Sequence, residues 1–409
     1  MANSILTINM ITREAIRLFL NSNAFIQNID KQYDSQFAKS GAKIGTTLRI
    51  RLPNDYIVTD GPAASIQDTN EQSTTLTVAT QRHVDTGFTT EQRTLELDDF
   101  GERVLKPKVN VLAGNVAKTV MLSVAEAACN YRANVDGGGN IISPTKTQFL
   151  EAGAILDDNS APMMGTMGDR KVVNDPWTDA RLVDSLAGQF NPTAKISKQY
   201  EYGVMKQALG FSFMRDQTVI KHTSGTFTAG TVNGAGQTGT TLVTNAITGT
   251  LRQGGIITIA NVFAVNRVTK DNTGVRRQFV VTANVLSGAV SIPVYPAIVA
   301  AIGGSDVQYQ TVNASPTDTA PISLASKPSE IYRKSIAYAP EAITMVTADL
   351  WMPPKNGVIE AARHQMDGVS MRQLAAYQIG TDQAVDRLDV LFGQLAIRPE
   401  WMTTVADKV

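Results

Sequence analysis

One cysteine, three histidines and 6% aromatic residues among 409 positions leave this sequence poor in the side chains that most often perform chemistry. Cys129, standing alone, excludes an internal disulfide, so stability is expected from packing and from neighbouring subunits, as suits a chain of cytoplasmic origin. His83, His222 and His364 lie far apart in predicted loops or a helix, without metal-ligand spacing, and each reads as structural or merely exposed. Charge is scarce as well. Lys plus Arg and Asp plus Glu number 37 each, so no net field draws the protein to nucleic acid or an anionic membrane. Long apolar runs are missing too: Arg13, Glu14 and Arg17 interrupt the N-terminal stretch, and neither a signal-peptide core nor a membrane span is expected.

What the chain has is length and patterning. Its 409 residues exceed what one core supports, a limit of roughly 250–300 residues, so two or more folding units are expected. Met10, Ile11, Ile16, Phe19, Leu20 and Ile26 recur near helical spacing and predict an amphipathic N-terminal arm. Alternation at Thr46 to Leu52 and again at Thr74 to Thr80 predicts two sides of a long hairpin, with polar, Gly- and Pro-bearing sequence between and after them. A ribbon so poor in core-forming residues needs support from outside.

Asp98-Asp99 can cap a helix start, and Leu112, Val116, Val124, Ala128 and Tyr131 predict a long helix from Val109 to Tyr131, ended by the DGGGN run at Asp136 to Asn140. Helices around Thr145 to Asn159 and Trp177 to Phe190 alternate with strands at Lys171 to Asn174 and Phe211 to Met214. Further on, Ala342 to Asp349, a helical stretch within Val369 to Tyr377 and a closing strand Leu388 to Ile397 resume the mixed pattern. Between these pieces lies LRQGGIITIANVFAVNRVTKDNTGVRRQFVVTANVLSGAVSIPVYPAI, Leu251 to Ile298, whose short β-branched and aromatic runs separated by Gly, Asn, Asp and Pro predict an inserted module of small antiparallel strands.

Motifs for catalysis are thin. GAGQTGTT at Gly234 to Thr241 has the glycine spacing of a phosphate-cradling loop, but Thr240 stands where the lysine is needed and no strand-to-helix context follows. It lies in a stretch without Asp, Glu, Lys or Arg between Lys221 and Arg252, unusual for an exposed loop unless another molecule covers it. Cys129 reads as a small buried hydrophobe on the apolar part of the long helix.

The order of elements, with TG-x-LR-x-GG-x-ITIA-x-V-x-AV at Thr248 to Val265, FVV at Phe279 to Val281, SG at Ser287-Gly288 and IP at Ile292-Pro293, resembles the tailed-bacteriophage major capsid proteins of the HK97-like fold. Within these it is similar to the podovirus coat-protein family with an inserted β-barrel domain. The resemblance implies an α+β fold: an N-terminal arm over 1–44, an E-loop hairpin over 45–90, a P-domain with spine helix over 91–140 and an A-domain over 141–221. An inserted small antiparallel β-barrel domain would follow over 222–328, and 329–409 would return to the A- and P-domains.

It also implies no catalysis and no cofactor. The chain would assemble with itself as pentamers and hexamers into an icosahedral head enclosing double-stranded DNA, with scaffolding, portal and decoration proteins as partners, in the host cytoplasm. Candidate intersubunit contacts are Arg13 and Arg17 on the arm, Arg49, Arg51 and Asp60 on the hairpin, and Lys270, Asp271, Arg276 and Arg277 after Val268. A tail-tube or other virion component, or the shell of a cellular nanocompartment, are the alternative readings.

Overall fold

The computed structural model describes residues 8–33, 47–59, 61–62, 66, 72–89, 104–165, 167–186, 207–300, 307–354 and 358–409. Asp60, Asp98 and Asp99 lie outside them. Contacts group the chain into two compact units, one of 1–50, 73–120 and 343–395, the other of 51–72, 121–342 and 396–409. The class is α+β, as expected.

In the first unit the arm is helix α1, Ile8–Ser22, whose Ala15, Ile16, Phe19 and Leu20 form one buried stripe. It packs on the strands Glu360–Met366 and Val369–Gln378, and Thr12 Oγ1 lies 3.0 Å from Gln373 Oε1 beneath it. Asn23 caps the short α2, Ala24–Gln27, by accepting from the Ile26 amide at 3.0 Å. The strand Asp30–Tyr33 then pairs in parallel with Ile343–Ala348 and opens a six-stranded sheet that continues through Gln383–Ala396, Val369–Gln378 and Glu360–Met366.

Two expectations fail in this sheet. The stretch within Val369 to Tyr377 is a strand and not a helix, because two-sided pairing with Glu360–Met366 and Gln383–Ala396 overrides the helix propensity of Met, Arg, Gln, Leu and Ala. Thr80–Thr89, read as a polar loop, is a strand in register with Gln383–Ala396 from Thr80↔Phe392 to Thr89↔Gln383. The hairpin sides Thr47–Arg51 and Ser73–Thr77 pair as expected, and Leu76 and Val78 are buried against Val346 and Ala348.

Helix α3, Lys106–Ala127, belongs up to Val120 to the first unit and from Met121 to the second. The glycine run does not end it. α3 stops at Ala127, and Asn130–Val135 is a strand parallel to Met402–Lys408. The DGGGN run instead turns this strand into Ile141–Ile142, with Asp136 Oδ1 accepting from the Gly138 and Asn140 amides at 2.9 and 2.8 Å. The spacing of Ala128 and Tyr131 continued the helical period by coincidence.

The second unit's eight-stranded sheet runs Gln207–Ala208, Phe211–Arg215, Lys171–Asn174, Ile331–Tyr338, Met402–Lys408, Asn130–Val135 and Ile141–Ile142, with Lys221–Thr223 also on Ile331–Tyr338. Helix α4, Lys146–Asp158, starts in a capping box of Thr145 and Gln148. With α5, Pro176–Leu186, it encloses Phe149, Leu156, Val172, Leu182, Phe213 and Val405. The segment 329–409 is thus divided: 343–395 builds the six-stranded sheet, and Met402–Lys408, beyond the expected closing strand, lies inside the eight-stranded one.

Within the same unit a five-stranded antiparallel sheet orders Gly239–Val243, Ser291–Ile298, Asn272–Val281, Ile256–Val265 and Ile322–Leu324. Ile256–Val265, whose apolar runs on either side of Asn261 read as separate short strands, is one strand with register shifts, and Asn261 takes the left-handed conformation there, φ 63°. Bridges Thr231↔Pro321 and Val232↔Thr244 tie both sheet edges to one segment. The charge-free stretch needs no external cover, since Phe227, Val232, Leu242, Ile247 and Leu251 point into this sheet's core.

Candidate assembly surfaces and a charge junction

Groups that could do chemistry are inert here. Burial pushes the Cys129 thiol up to about 12, and its sulfur lies 3.5 Å from the Pro399 carbonyl. Cys129 follows α3, just beyond its last turn. His222 is buried with its ring centroid 5.3 Å from that of Tyr332; burial, then the charges of Lys334 and Arg252, lower its pKa to about 3, so it is neutral. His83 is half-exposed beside Asp85 at 3.0 Å, and His364 sits in a strand, neither loop nor helix.

The glycine-rich loop is closed on itself. Gln237 donates to the carbonyls of Asn233 and Val243 at 2.7 and 2.9 Å and accepts from the Val243 amide at 2.7 Å. The Gly234 amide donates to Asp318 Oδ1 at 2.7 Å and the Gly236 amide to the Pro316 carbonyl at 3.1 Å, so donors that would cradle a phosphate are used and a carboxylate stands among them.

The expected contact residues do not form one patch. Arg13 is exposed on α1, and Arg17 is held by Glu14 at 2.5 and 2.9 Å; that hydrogen bond keeps the Glu14 carboxyl below its usual range. Arg49 donates to Ser73 Oγ across the hairpin at 2.8 Å, and Arg51 is exposed at the end of the same strand. Asp271 and Arg276 are exposed, but Lys270 turns inward and donates to the Gln308 carbonyl at 2.6 Å. Arg277 is 5% exposed, so as placed it is an internal charge and not an available contact; the alternation of its strand turns it in and Arg276 out.

Two features escaped the sequence. On the hairpin tip Tyr56, Val58 and Ile66 are 61%, 94% and 93% exposed, a set of apolar side chains without cover. Their scatter among polar residues gave no periodic signal. The second is a junction around Arg267. Its guanidinium holds Asp55 through Nη2 at 2.8 Å and Nε at 3.3 Å, and Glu400 through Nη1 at 3.2 Å. Glu400 also accepts from the Tyr295 hydroxyl at 2.9 Å. Burial opposes the charge on Arg267, but Glu400 and Asp55 outweigh it and raise its pKa. A forked, partly buried pair of this kind outlasts the isolated surface ion pair, worth about 0–1 kcal/mol. Its members are 212 and 133 residues apart, and one sequence cannot join them.

A second buried cation is Lys334, fully enclosed, whose ammonium donates to the carbonyls of Ala125 in the last turn of α3 and Gly254 in the turn before the five-stranded sheet, at 2.9 and 2.5 Å. Those partners suit a helix C-terminus.

No curated protein matches the chain. Among solved structures it is similar to Mycobacterium phage Che8, with 10% identity, 93% of this chain and 90% of that one covered and a TM-score of 0.45. It is also similar to the mature capsid of bacteriophage PhiM1, with 10% identity, coverages of 94% and 86% and a TM-score of 0.42. The coat protein I-domain of CUS-3 matches 24% of this chain over 93% of its own length at 22% identity, TM-score 0.20. None of these likenesses carries the assignment. The sequence profile of the P22 coat protein, gene protein 5, does, because it matches residues 1–405. The chain belongs to the P22 coat protein family, and it is a structural capsid protein of the virion and not an enzyme.

Proposed function

We propose that this coat protein closes into an icosahedral head of pentamers and hexamers by laying the tip of its hairpin on a neighbouring copy. The observation that carries this reading is the exposed apolar set Tyr56, Val58 and Ile66 at the end of a two-stranded ribbon. The base of the ribbon is anchored by Leu76 and Val78 on Val346 and Ala348, so the apolar surface left open is at the tip, and a second copy would cover it. In this reading 1–44 is the arm, 45–90 the E-loop, 91–140 the spine-helix domain, 141–221 the axial domain, 222–328 an inserted barrel, and 329–409 the return to the axial and spine-helix domains of an HK97-like subunit.

Arg13, Arg49, Arg51, Asp271 and Arg276 offer charges for contacts between copies; Arg17 does so once released from Glu14, and Asp60, outside the described residues, remains a candidate from the sequence. Closed symmetry repeats each small contact, so modest interfaces sum to a stable shell. Double-stranded DNA inside, scaffolding, portal and decoration proteins, and assembly in the host cytoplasm follow from the same reading. Negative-stain electron microscopy of the protein, alone and with the phage gene products encoded beside it, tests it. Closed shells of uniform diameter are expected; stacked rings, tubes or only small monodisperse particles would overturn it.

A further inference from the structure

We infer that the cavity beside Arg267 is a binding site for a small oxyanion of the phosphate class, held by Lys270 and Arg277. The cavity has a volume of about 150 Å3 and lies between the Arg267 junction and the loop bearing Gln310 and Thr311. Three cations line it, Arg267, Lys270 and Arg277, against two carboxylates, Asp55 and Glu400. Both carboxylates are engaged by Arg267. Among the described residues Lys270 and Arg277 form no ion pair, and Arg398, 7% exposed and 5.0 Å above the Trp401 ring, adds further positive charge nearby.

Arg277 supplies the independent sign of a missing ligand. It is 5% exposed, its Nε has no hydrogen-bond partner, and its Nη1 has only Asn159 Oδ1 at a long 3.4 Å. A buried guanidinium without a counter-charge is unfavourable, and an oxyanion satisfies a planar fork with two parallel hydrogen bonds. The Lys270 ammonium is part-buried beside it: burial lowers its pKa, Asp55 offsets part of that, and Arg267 adds a smaller downward push. Lys270 is held in a left-handed turn, φ 61°, that brings its ammonium to the Gln308 carbonyl. The cavity's volume suits a compact tetrahedral anion. The inference stands on this cavity alone and does not depend on how the shell is built.

The experiment is calorimetric titration of the full chain with inorganic phosphate at fixed ionic strength, with scanning calorimetry in parallel. Saturable binding and a rise in Tm are expected, with sodium chloride at equal ionic strength giving neither. Lys270→Gln should weaken the affinity about tenfold, equivalent to about 1.4 kcal/mol for one charge-assisted hydrogen bond. Arg277→Gln should weaken it at least as much. Arg276→Gln, whose side chain does not line the cavity, should leave it unchanged. Lys270 lies on a turn, so its variant keeps the test decisive if Arg277→Gln fails to fold. Binding that follows ionic strength only, that persists in Lys270→Gln, or that appears only with a double-stranded oligonucleotide would overturn the inference.

Discussion

In the five-stranded sheet the interior is Phe227, Leu242, Ile257, Phe279, Val281, Ile292 and Val294, with Arg277 the one buried charge of residues 222–328 among those described. In the six-stranded sheet Asp389 is wholly buried, held by Arg372 Nη2 at 2.5 Å, Arg387 Nε at 3.0 Å and Gln81 Nε2 at 3.0 Å. Asp349 is likewise buried there, with Arg363, Gln365 and Ser370 around it. The first sheet has an almost wholly apolar interior, and such burial is non-directional and tolerates modest repacking; the second adds to its own apolar core of Met345, Val346, Leu388, Val390 and Phe392 a set of hydrogen-bonded ions, which demand their partners. The difference teaches where each sheet is fragile.

The largest effect should come from Phe279→Ala, which removes the centre of the apolar sheet and should cost about 3–5 kcal/mol in chemical denaturation. Asp389→Ala should follow at about 3 kcal/mol, because it strands Arg372, whose side chain is 11% exposed. The paired change Asp389→Leu with Arg372→Met should recover most of that loss, since buried ions replaced together by apolar groups are nearly neutral. Failure to recover would show that the ions set the register of this sheet as well as its stability.

The effect that is sharpest in form concerns Lys334 and is read in the pH dependence of stability. Burial lowers its pKa to about 7, with Glu126 opposing, from an ordinary value near 10.5 in the unfolded chain. Between these values the unfolded state binds more protons than the folded one, so this group makes stability rise with pH from about 7 towards 10.5. Lys334→Met removes the titration. Stability of the wild-type minus that of the variant should therefore be flat below pH 7 and climb above it. A flat difference across the whole range would contradict the buried amine.

This contrast also explains what could be read from sequence. The runs of the five-stranded sheet carry Ile, Val and Phe between Gly and Asn turns, so each of its three longer strands shows in the sequence, although the polar first half of Asn272–Val281, NTGVRR, reads as a turn. QRHVDTGFT, EAARHQM and VSMRQLAAYQ in the six-stranded sheet carry charges and amides that pair with one another, so period-two hydrophobicity is lost. Met402–Lys408 was missed for the same reason: its buried Asp407 is satisfied by Thr178 at 2.8 Å and Arg181 at 2.9 Å, partners over 220 residues away. Of the contact residues, Arg276 and Arg277 could not be told apart without the strand register, and the Arg267 junction had no local signature.

The central claim is that the hairpin tip joins copies and is not needed within one. Replacing Tyr56–Gln72 by a short Gly-Ser linker keeps Leu76 and Val78, which are core residues of the first unit. The variant should retain wild-type circular dichroism and denaturation midpoint, while sedimentation velocity shows only subunits or small oligomers in place of shells. Shells at wild-type yield from this variant would contradict the account.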